Sequence, residues 1–211
     1  NNIVEVTIMQ NYETEILNIF EKSIKIIHKS KSLTKDITSI VNMIIKTIEN
    51  KNKIIIFGNG GSAADAQHMA AEFVGRYLIE RKSLPAIALT TDTSALTGIG
   101  NDYGFEQIFA RQCDALVDDG DLVIAISTSG KSPNIIEGIK TCKKKKAKIV
   151  VLTGKNGNKL KRFSDIILQV PSNETPRIQE AHRTIIHIIC EFVEKHFLNK
   201  KTDYKRRSKK I

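Results

Sequence analysis

One stretch of the 211-residue chain predicts the fold: Lys53-Ile-Ile-Ile-Phe57, followed at once by Gly58-Asn59-Gly60-Gly61-Ser62. Four consecutive apolar residues before a glycine-rich turn indicate a buried β-strand, and a helical pattern begins directly after the turn. In a parallel α/β sheet such a turn lies at the carboxyl edge, where free backbone N–H groups and a positive helix end converge. The stretch therefore predicts an anion-binding loop.

Four more β-rich runs follow, separated by helical patterns, at residues 86–89, 122–126, 148–152 and 166–170. Strands that alternate with helices predict a parallel sheet. The runs are apolar at nearly every position, which is typical of strands covered by helices on both faces. We therefore expect an α/β fold, a doubly wound, Rossmann-like sheet of five parallel strands.

Helical patterns flank this unit at both ends. The last runs from about Arg177 to Leu198, and the first 50 residues predict two extra N-terminal helices with apolar stripes that need a partner surface. The stripe of the first helix consists of Ile16, Leu17, Phe20, Ile24 and Ile27, and that of the second of Leu33, Ile37, Ile40, Val41, Ile44 and Ile48. We expect a single domain over residues 1–199 and a basic, disordered tail over residues 200–211.

Composition argues against several classes of protein. The apolar content of 41% and charged content of 27% are typical of soluble globular domains, and no run is long enough to span a membrane. The start of the chain has no signal-peptide pattern, so we expect a cytoplasmic protein. Cys113, Cys142 and Cys190 stand far apart, which favours reduced structural thiols.

The net charge of +10 does not by itself indicate nucleic-acid binding. From Lys200 onward, seven basic residues and one acidic residue, Asp203, supply +6 of it and leave +4 for the rest. No aromatic residues alternate with these charges, as a surface for single-stranded nucleic acid would require. A solvated surface and tail is the favoured interpretation.

A second polar loop, Ser127-Thr128-Ser129-Gly130-Lys131-Ser132-Pro133, follows the third predicted strand. Ser132 is placed to cap the next helix and Pro133 to begin it. One such loop indicates only helix capping, but two at neighbouring strand ends favour a phosphate site.

The ligand of these loops is predicted to be a small monophosphorylated molecule. Gly58-x-Gly60-x-x-Ala63 loosely matches a dinucleotide fingerprint, which also requires an acidic residue about 20 positions on. The nearest candidate, Asp92, lies 34 residues after Gly58. The chain also lacks the Gly-x-x-x-x-Gly-Lys-Ser/Thr motif of nucleoside triphosphatases.

Two pairs of side chains on different helices could do chemistry. His68 and Glu72 are four residues apart and share a helix face, so they could share a metal ion or a proton. Gln179 and His187 lie about two turns apart on the last helix, and His187 interrupts its apolar face. Taken alone, each also fits a structural role, as an exposed pair or a hydrogen-bonded core histidine.

Four ordered blocks of the sequence resemble the bacterial phosphoheptose isomerases of the sugar isomerase (SIS) superfamily, and the resemblance covers residues 10–198. The blocks are Phe57-Gly-Asn-Gly-Gly-Ser-Ala-Ala-Asp-Ala-Gln-His-Met-Ala-Ala-Glu72, Leu96-Thr-Gly-Ile-Gly-Asn-Asp-Tyr-Gly-Phe105, Ala125-Ile-Ser-Thr-Ser-Gly-Lys-Ser132 and Arg177-Ile-Gln-Glu-Ala-His-Arg-Thr-Ile-Ile-His187.

The resemblance implies roles for particular residues. The substrate-binding positions it implies are Asn59, Gly60, Gly61, Ser62, Glu72, Asn101, Asp102, Ser127, Thr128, Ser129, Ser132 and Gln179. It also implies one zinc ion per subunit, bound by His68, Glu72, Gln179 and His187. Glu72 is implied as the catalytic base and His187 as the catalytic acid, and the two roles could be exchanged.

The implied reaction converts sedoheptulose 7-phosphate to D-glycero-D-manno-heptose 7-phosphate through an enediol, for lipopolysaccharide or capsule synthesis. The implied assembly is a homotetramer with active sites at subunit interfaces, in which we expect Glu72 and His187 of one site to come from different chains.

Three alternatives share the fold. They are a non-catalytic binding protein resembling the replication-initiator-associating protein, a sugar-phosphate sensor of transcriptional regulators, and an amino-sugar isomerase. The presence of Glu72 and His187 argues against the first, and the lack of a helix-turn-helix pattern before the first strand argues against the second.

Overall fold

Five strands form one sheet: β1 Ile54–Gly58, β2 Ala86–Ala88, β3 Leu122–Ser127, β4 Lys148–Gly154 and β5 Ile166–Val170. Their order is β2-β1-β3-β4-β5, and every neighbouring pair is parallel. The predicted doubly wound sheet is confirmed. Since the strand order reverses between β1 and β3, the loops that follow these two strands face a common crevice.

The computed structural model describes the backbone of residues 2–207 and the side chains of residues 11–198. Its α-helices are α1 Asn2–Ser30, α2 Thr34–Glu49, α3 Gly61–Val74, α4 Thr93–Tyr103, α5 Ile108–Leu116, α6 Pro133–Lys144 and α7 Thr175–Arg207. Short 3-10 helices span Lys31–Leu33, Phe105–Gln107 and Gly157–Phe163. None of the helices in the described backbone is long and apolar enough to cross a membrane.

The last helix continues to Arg207, and residues 208–211 lie outside the described residues. The separate basic tail over residues 200–211 therefore stays a prediction.

The two faces of the sheet have separate cores. Ile54 and Ile56 of β1 point toward α2, α3 and α7, whereas Ile55 and Phe57 point toward α5 and α6. Phe57 stacks on Phe109 of α5 with ring centroids 4.9 Å apart. β1 and β3 are buried at every position, which explains their unbroken apolar sequence. The three cysteines are free and buried, as the sequence predicts.

The N-terminal helices differ in how their apolar stripes are covered. In α2, the predicted stripe is buried at Ile37, Ile40, Val41 and Ile44. In α1, Ile27 packs against the core, but the rest of the predicted stripe faces solvent in the single chain. The exposed fractions are 52% for Ile16, 65% for Leu17, 63% for Phe20 and 58% for Ile24.

Candidate active site

The loop after β1 is a tight turn that requires glycine. Gly60 has φ +55°, a left-handed conformation that side chains disfavour, and it precedes the first turn of α3. A Cβ at Gly61 would lie 2.8 Å from Cδ of Gln179 on α7. The absence of a side chain at Gly61 therefore lets α7 bring the Gln179 amide directly against the start of α3.

The loop after β3 has the same design. Ser132 precedes α6 and Pro133 is its first residue, as predicted, although the Ser132 hydroxyl makes no capping hydrogen bond. The hydroxyl of Ser127 accepts from the Gly130 N–H at 3.2 Å, and that of Ser129 accepts from the Lys131 N–H at 3.2 Å. The loop is thus folded by its own hydroxyls around a helix N-terminus, where an anion is favoured.

A reciprocal pair of amides joins the two loops. The Asn59 Nδ2 donates to Oδ1 of Asn134 at 2.9 Å, and the Asn134 Nδ2 donates to Oδ1 of Asn59 at 2.8 Å. Asn134 is 2% exposed and lies in the first turn of α6. The pair holds the N-termini of α3 and α6 side by side. Asn134 is a site residue that sequence reasoning missed.

Three of the predicted catalytic or metal-binding side chains meet between α3 and α7. The Nε2 atoms of His68 and His187 are 2.8 Å apart, a hydrogen bond in which one ring is the donor. His68 Nε2 also lies 3.6 Å from Oε1 of Glu72. All three are partly exposed, so a ligand can reach them. Within the single chain Glu72 and His187 both flank His68, and the expectation that Glu72 and His187 of one site come from different chains stays a prediction.

An ion pair with a buried carboxylate adjoins this cluster. Arg183 of α7 contacts Oδ1 of Asp65 at 2.6 Å, and the Asp65 side chain is only 4% exposed. Burial raises the pKa of the Asp65 carboxyl, and Arg183 opposes that shift. Burial, followed by the charge of Arg183, lowers the pKa of His68 and so favours its neutral imidazole. A neutral imidazole is the form that binds metals or accepts a proton.

Two distances in this cluster can be compared with those of a zinc site. Tetrahedral zinc with ligands at about 2.0–2.1 Å keeps ligand atoms about 3.4 Å from each other. The separation of 3.6 Å between His68 and Glu72 fits, while the two histidine nitrogens must part by roughly half an ångström from their present hydrogen bond. As they stand, the histidine, cysteine and acidic side chains of residues 11–198 form no ready metal-binding group. Imidazole and carboxylate are usual zinc ligands, and an amide oxygen is a weaker one.

Two predicted substrate-binding residues lie apart from this cluster. Asn101 and Asp102 are on α4 and are exposed, and the Asn101 Nδ2 donates to Oδ1 of Asp102 at 2.8 Å. No contact in the described part of the chain joins them to His68, Glu72 or His187. Their predicted role in substrate binding stays a prediction.

Comparisons with known proteins agree with this geometry. Residues 18–154 match the family model of the SIS domain. A phosphoheptose isomerase of Helicobacter pylori is 52% identical over 170 residues, which cover 81% of this chain and 88% of the relative. The solved phosphoheptose isomerase of Neisseria gonorrhoeae has a TM-score of 0.82 and 40% identity, over 87% of this chain and 98% of that one. The enzyme of Francisella tularensis has a TM-score of 0.84 and 36% identity, over 86% of this chain and 97% of that one.

Proposed function

The chain belongs to the phosphoheptose isomerase family of SIS-domain proteins, and we propose that it converts sedoheptulose 7-phosphate to D-glycero-D-manno-heptose 7-phosphate between α3 and α7. It is a sugar-phosphate isomerase, as the sequence predicts. The observation that carries the proposed chemistry is the cluster of His68, Glu72 and His187, which lies on the two helices that flank the glycine-rich loop.

The phosphate of the substrate is proposed to bind at the paired loops. The N-termini of α3 and α6 supply positive helix ends, and the hydroxyl-bearing residues Ser62, Ser127, Thr128, Ser129 and Ser132 lie at these helix starts or in the loop before α6. The phosphate lies at the opposite end of the open-chain sugar from C1 and C2. Binding it fixes the orientation of these carbons against the proton-transfer groups, which is a large source of rate acceleration.

Glu72 and His187 are proposed to move the protons. One takes a proton from C1, and the resulting enediol receives a proton at C2 from the other, while the proton on O1 is lost and O2 gains one. C1 is then the aldehyde carbon and C2 carries a hydroxyl, as in the aldose. The step moves protons within the sugar and needs no external oxidant or reductant. His68 bonds to His187 and so fixes the orientation of its ring.

Zinc is proposed as the cofactor, one ion per subunit, held by His68, Glu72, Gln179 and His187. When bound, a zinc ion supplies Lewis acidity that stabilises negative charge on the oxygens of the enediol. The support from the structure is the meeting of His68, Glu72 and His187 between α3 and α7, whereas the Gln179 amide lies against Gly61 at the start of α3.

A homotetramer is proposed as the assembly. The apolar stripe of α1 leaves four large side chains at least half exposed in the single chain, an unfavourable surface for an isolated protein. Coverage by α1 helices of other copies would bury it. Neighbouring copies could also bring their Asn101 and Asp102 to the site, because these residues are free of contact with the cluster of their own chain.

We further propose that the enzyme works in the cytoplasm and supplies heptose phosphate for lipopolysaccharide or capsule synthesis. A doubly charged phosphate ester requires an enzyme on the side of the membrane where it is made. The role in glycan synthesis follows from the heptose product.

The test is turnover of sedoheptulose 7-phosphate by zinc-supplemented protein, with the sugar products resolved by NMR. An aldoheptose 7-phosphate product is expected. A folded, zinc-loaded protein that binds the ketose phosphate without converting it would instead support the non-catalytic binding protein.

A further inference from the structure

Glu194 is a buried carboxylate that accepts hydrogen bonds from the chain segment following α3. It lies on α7, seven residues and thus two turns after His187, and is 2% exposed. Its oxygens accept the backbone N–H groups of Tyr77, Leu78 and Ile79 at 2.9, 2.8 and 3.0 Å. Burial by itself would raise the pKa of Glu194, but these donors and Arg81 outweigh it and lower that pKa, so the carboxylate is ionised.

Arg81 is the buried cation beside it. The Nε atom lies 3.3 Å from Oε1 of Glu194, and both side chains are 3% exposed. The rest of the guanidinium donates to carbonyls at the end of α3, at 2.6 Å to Glu72 and 2.8 Å to Phe73. The last carbonyls of a helix have no partner within the helix, so Arg81 caps the turn that carries Glu72.

The segment that is hydrogen-bonded to Glu194 also contacts His187 of the candidate active site. The Tyr77 ring packs against the His187 imidazole with centroids 5.7 Å apart. Arg81 therefore donates to the backbone carbonyl of Glu72, and Glu194 accepts the N–H group of Tyr77, whose ring packs against His187. From this arrangement we propose that Arg81 and Glu194 are positioning residues, which set the Glu72 carboxylate against His187.

The chemistry of the pair favours positioning over stability alone. Burying two charges is costly, and an apolar pair of the same size often stabilises a fold equally well. A guanidinium has five donors in a rigid fork, and here it donates to three carbonyls at the end of α3, those of Glu72, Phe73 and Gly75, and to the carbonyl of Lys82. Substitution of Arg81 or Glu194 would leave the loops that hold the phosphate unchanged, so substrate affinity should persist.

The inference rests on the proposed function and is tested with Glu194→Gln, which keeps the side-chain volume but weakens the grip on the three N–H groups. We expect kcat per folded site to fall about 10- to 100-fold, the effect of a displacement of about 1 Å, with KM within roughly twofold of wild type. The matched control is Asp121→Asn. Asp121 is also a buried carboxylate, 1% exposed, that accepts the N–H groups of Lys53 and Asp118 at 3.0 and 2.9 Å and directly precedes β3. This control should lose stability and keep kcat.

A second variant covers the case in which Glu194→Gln fails to fold. Arg81→Ala leaves a cavity for free guanidinium, which we expect to raise the kcat of this variant at least fivefold, whereas sodium chloride at the same concentration should not.

A folded Glu194→Gln enzyme with wild-type kcat would overturn the proposal, as would an equal fall of kcat in Asp121→Asn. If Glu194→Gln does not fold, the lack of rescue by guanidinium overturns it. Wild-type protein without turnover would refute the proposed function instead.

Discussion

Gly61 opens α3 with its Cα directly against the side-chain amide of Gln179. Gly61→Ala would place a methyl group 2.8 Å from the Gln179 Cδ, and the flexible side chain would move away while the fold persists. We expect at least a tenfold fall in turnover and a zinc affinity reduced about 10- to 100-fold, the usual effect of disturbing the surroundings of a metal ligand. Isothermal titration with zinc and steady-state kinetics measure both.

Gly98→Ala is the matched control for this substitution. A Cβ at Gly98 meets nothing within 4 Å, and alanine is the better residue in a helix interior. The control should keep its zinc affinity. If Gly61→Ala binds zinc as tightly as wild type, Gln179 is not a ligand.

His182 makes the stability of the protein depend on pH. Its side chain is fully buried and its Nε2 lies 3.3 Å from the carbonyl oxygen of Thr153. Burial lowers the pKa of His182 to about 4, although the hydrogen bond to Thr153 opposes the shift. Below pH 6.5 the unfolded chain binds a proton that the folded chain does not, so the free energy of unfolding falls between pH 6.5 and 4.

The expected size of this loss is about 3 kcal/mol, from a shift of roughly 2.5 pKa units. Urea denaturation at a series of pH values gives it directly. His182→Gln keeps an N–H donor but does not titrate, so its unfolding free energy should vary less over this interval. An identical pH dependence in both proteins would show that His182 is not buried in the neutral form.

At the scale of elements, the pair of Asn59 and Asn134 couples α3 to α6. Asn134→Ala removes both hydrogen bonds and lets the two loops move apart. Because the phosphate is proposed to bind at these loops and the proposed proton-transfer groups lie elsewhere, we expect KM to rise about tenfold, about 1.4 kcal/mol, with little change in kcat. Steady-state kinetics separate the two constants.

Asn158→Ala is the control for this pair, since Asn158 is an exposed asparagine of the 3-10 helix Gly157–Phe163. Its KM should match that of wild type. A fall of kcat at constant KM in Asn134→Ala would mean that the pair serves proton transfer and not phosphate binding.

The elements themselves were predictable because their signals are local. The strand bounds differ from the prediction by at most two residues, and Ser132 and Pro133 start α6 as expected. His68 and Glu72 were found because a spacing of four residues places them on one helix face. The contact of His68 with His187 spans 119 residues, and only the resemblance to a family indicated it.

The missed residues are those whose partners are distant in sequence. Asn134 bonds to a residue 75 positions away, and Glu194 to a segment about 116 positions away. Nothing in the local pattern around them differs from an ordinary helix. The available signal for Glu194 was its position directly after the apolar residues Phe192 and Val193. Only the structure shows that its side chain is buried.

At the scale of the whole molecule, the exposed stripe of α1 tests the proposed tetramer. Leu17→Glu together with Phe20→Glu puts two charges on residues that are 65% and 63% exposed in the single chain. We expect dissociation to smaller species, because burying unpaired charges in an interface is strongly unfavourable. Light scattering coupled to gel filtration measures the mass.

Lys35→Glu on α2 is the control, an exposed charge reversal away from the stripe, and it should not change the mass. If the double variant has the mass of the wild-type protein, α1 does not form the interface.

The central claim is that Glu72 and His187 transfer the protons of a sugar-phosphate isomerisation. The most direct measurement is aldoheptose 7-phosphate formation by wild type, Glu72→Gln and His187→Gln, beside the control His196→Gln. His196 also contacts a glutamate, Glu49, at 2.8 Å, but that pair joins α2 and α7 outside the site. We predict product from wild type and His196→Gln, and a loss of at least 100-fold in the other two variants. Product formation that survives both Glu72→Gln and His187→Gln would contradict the claim.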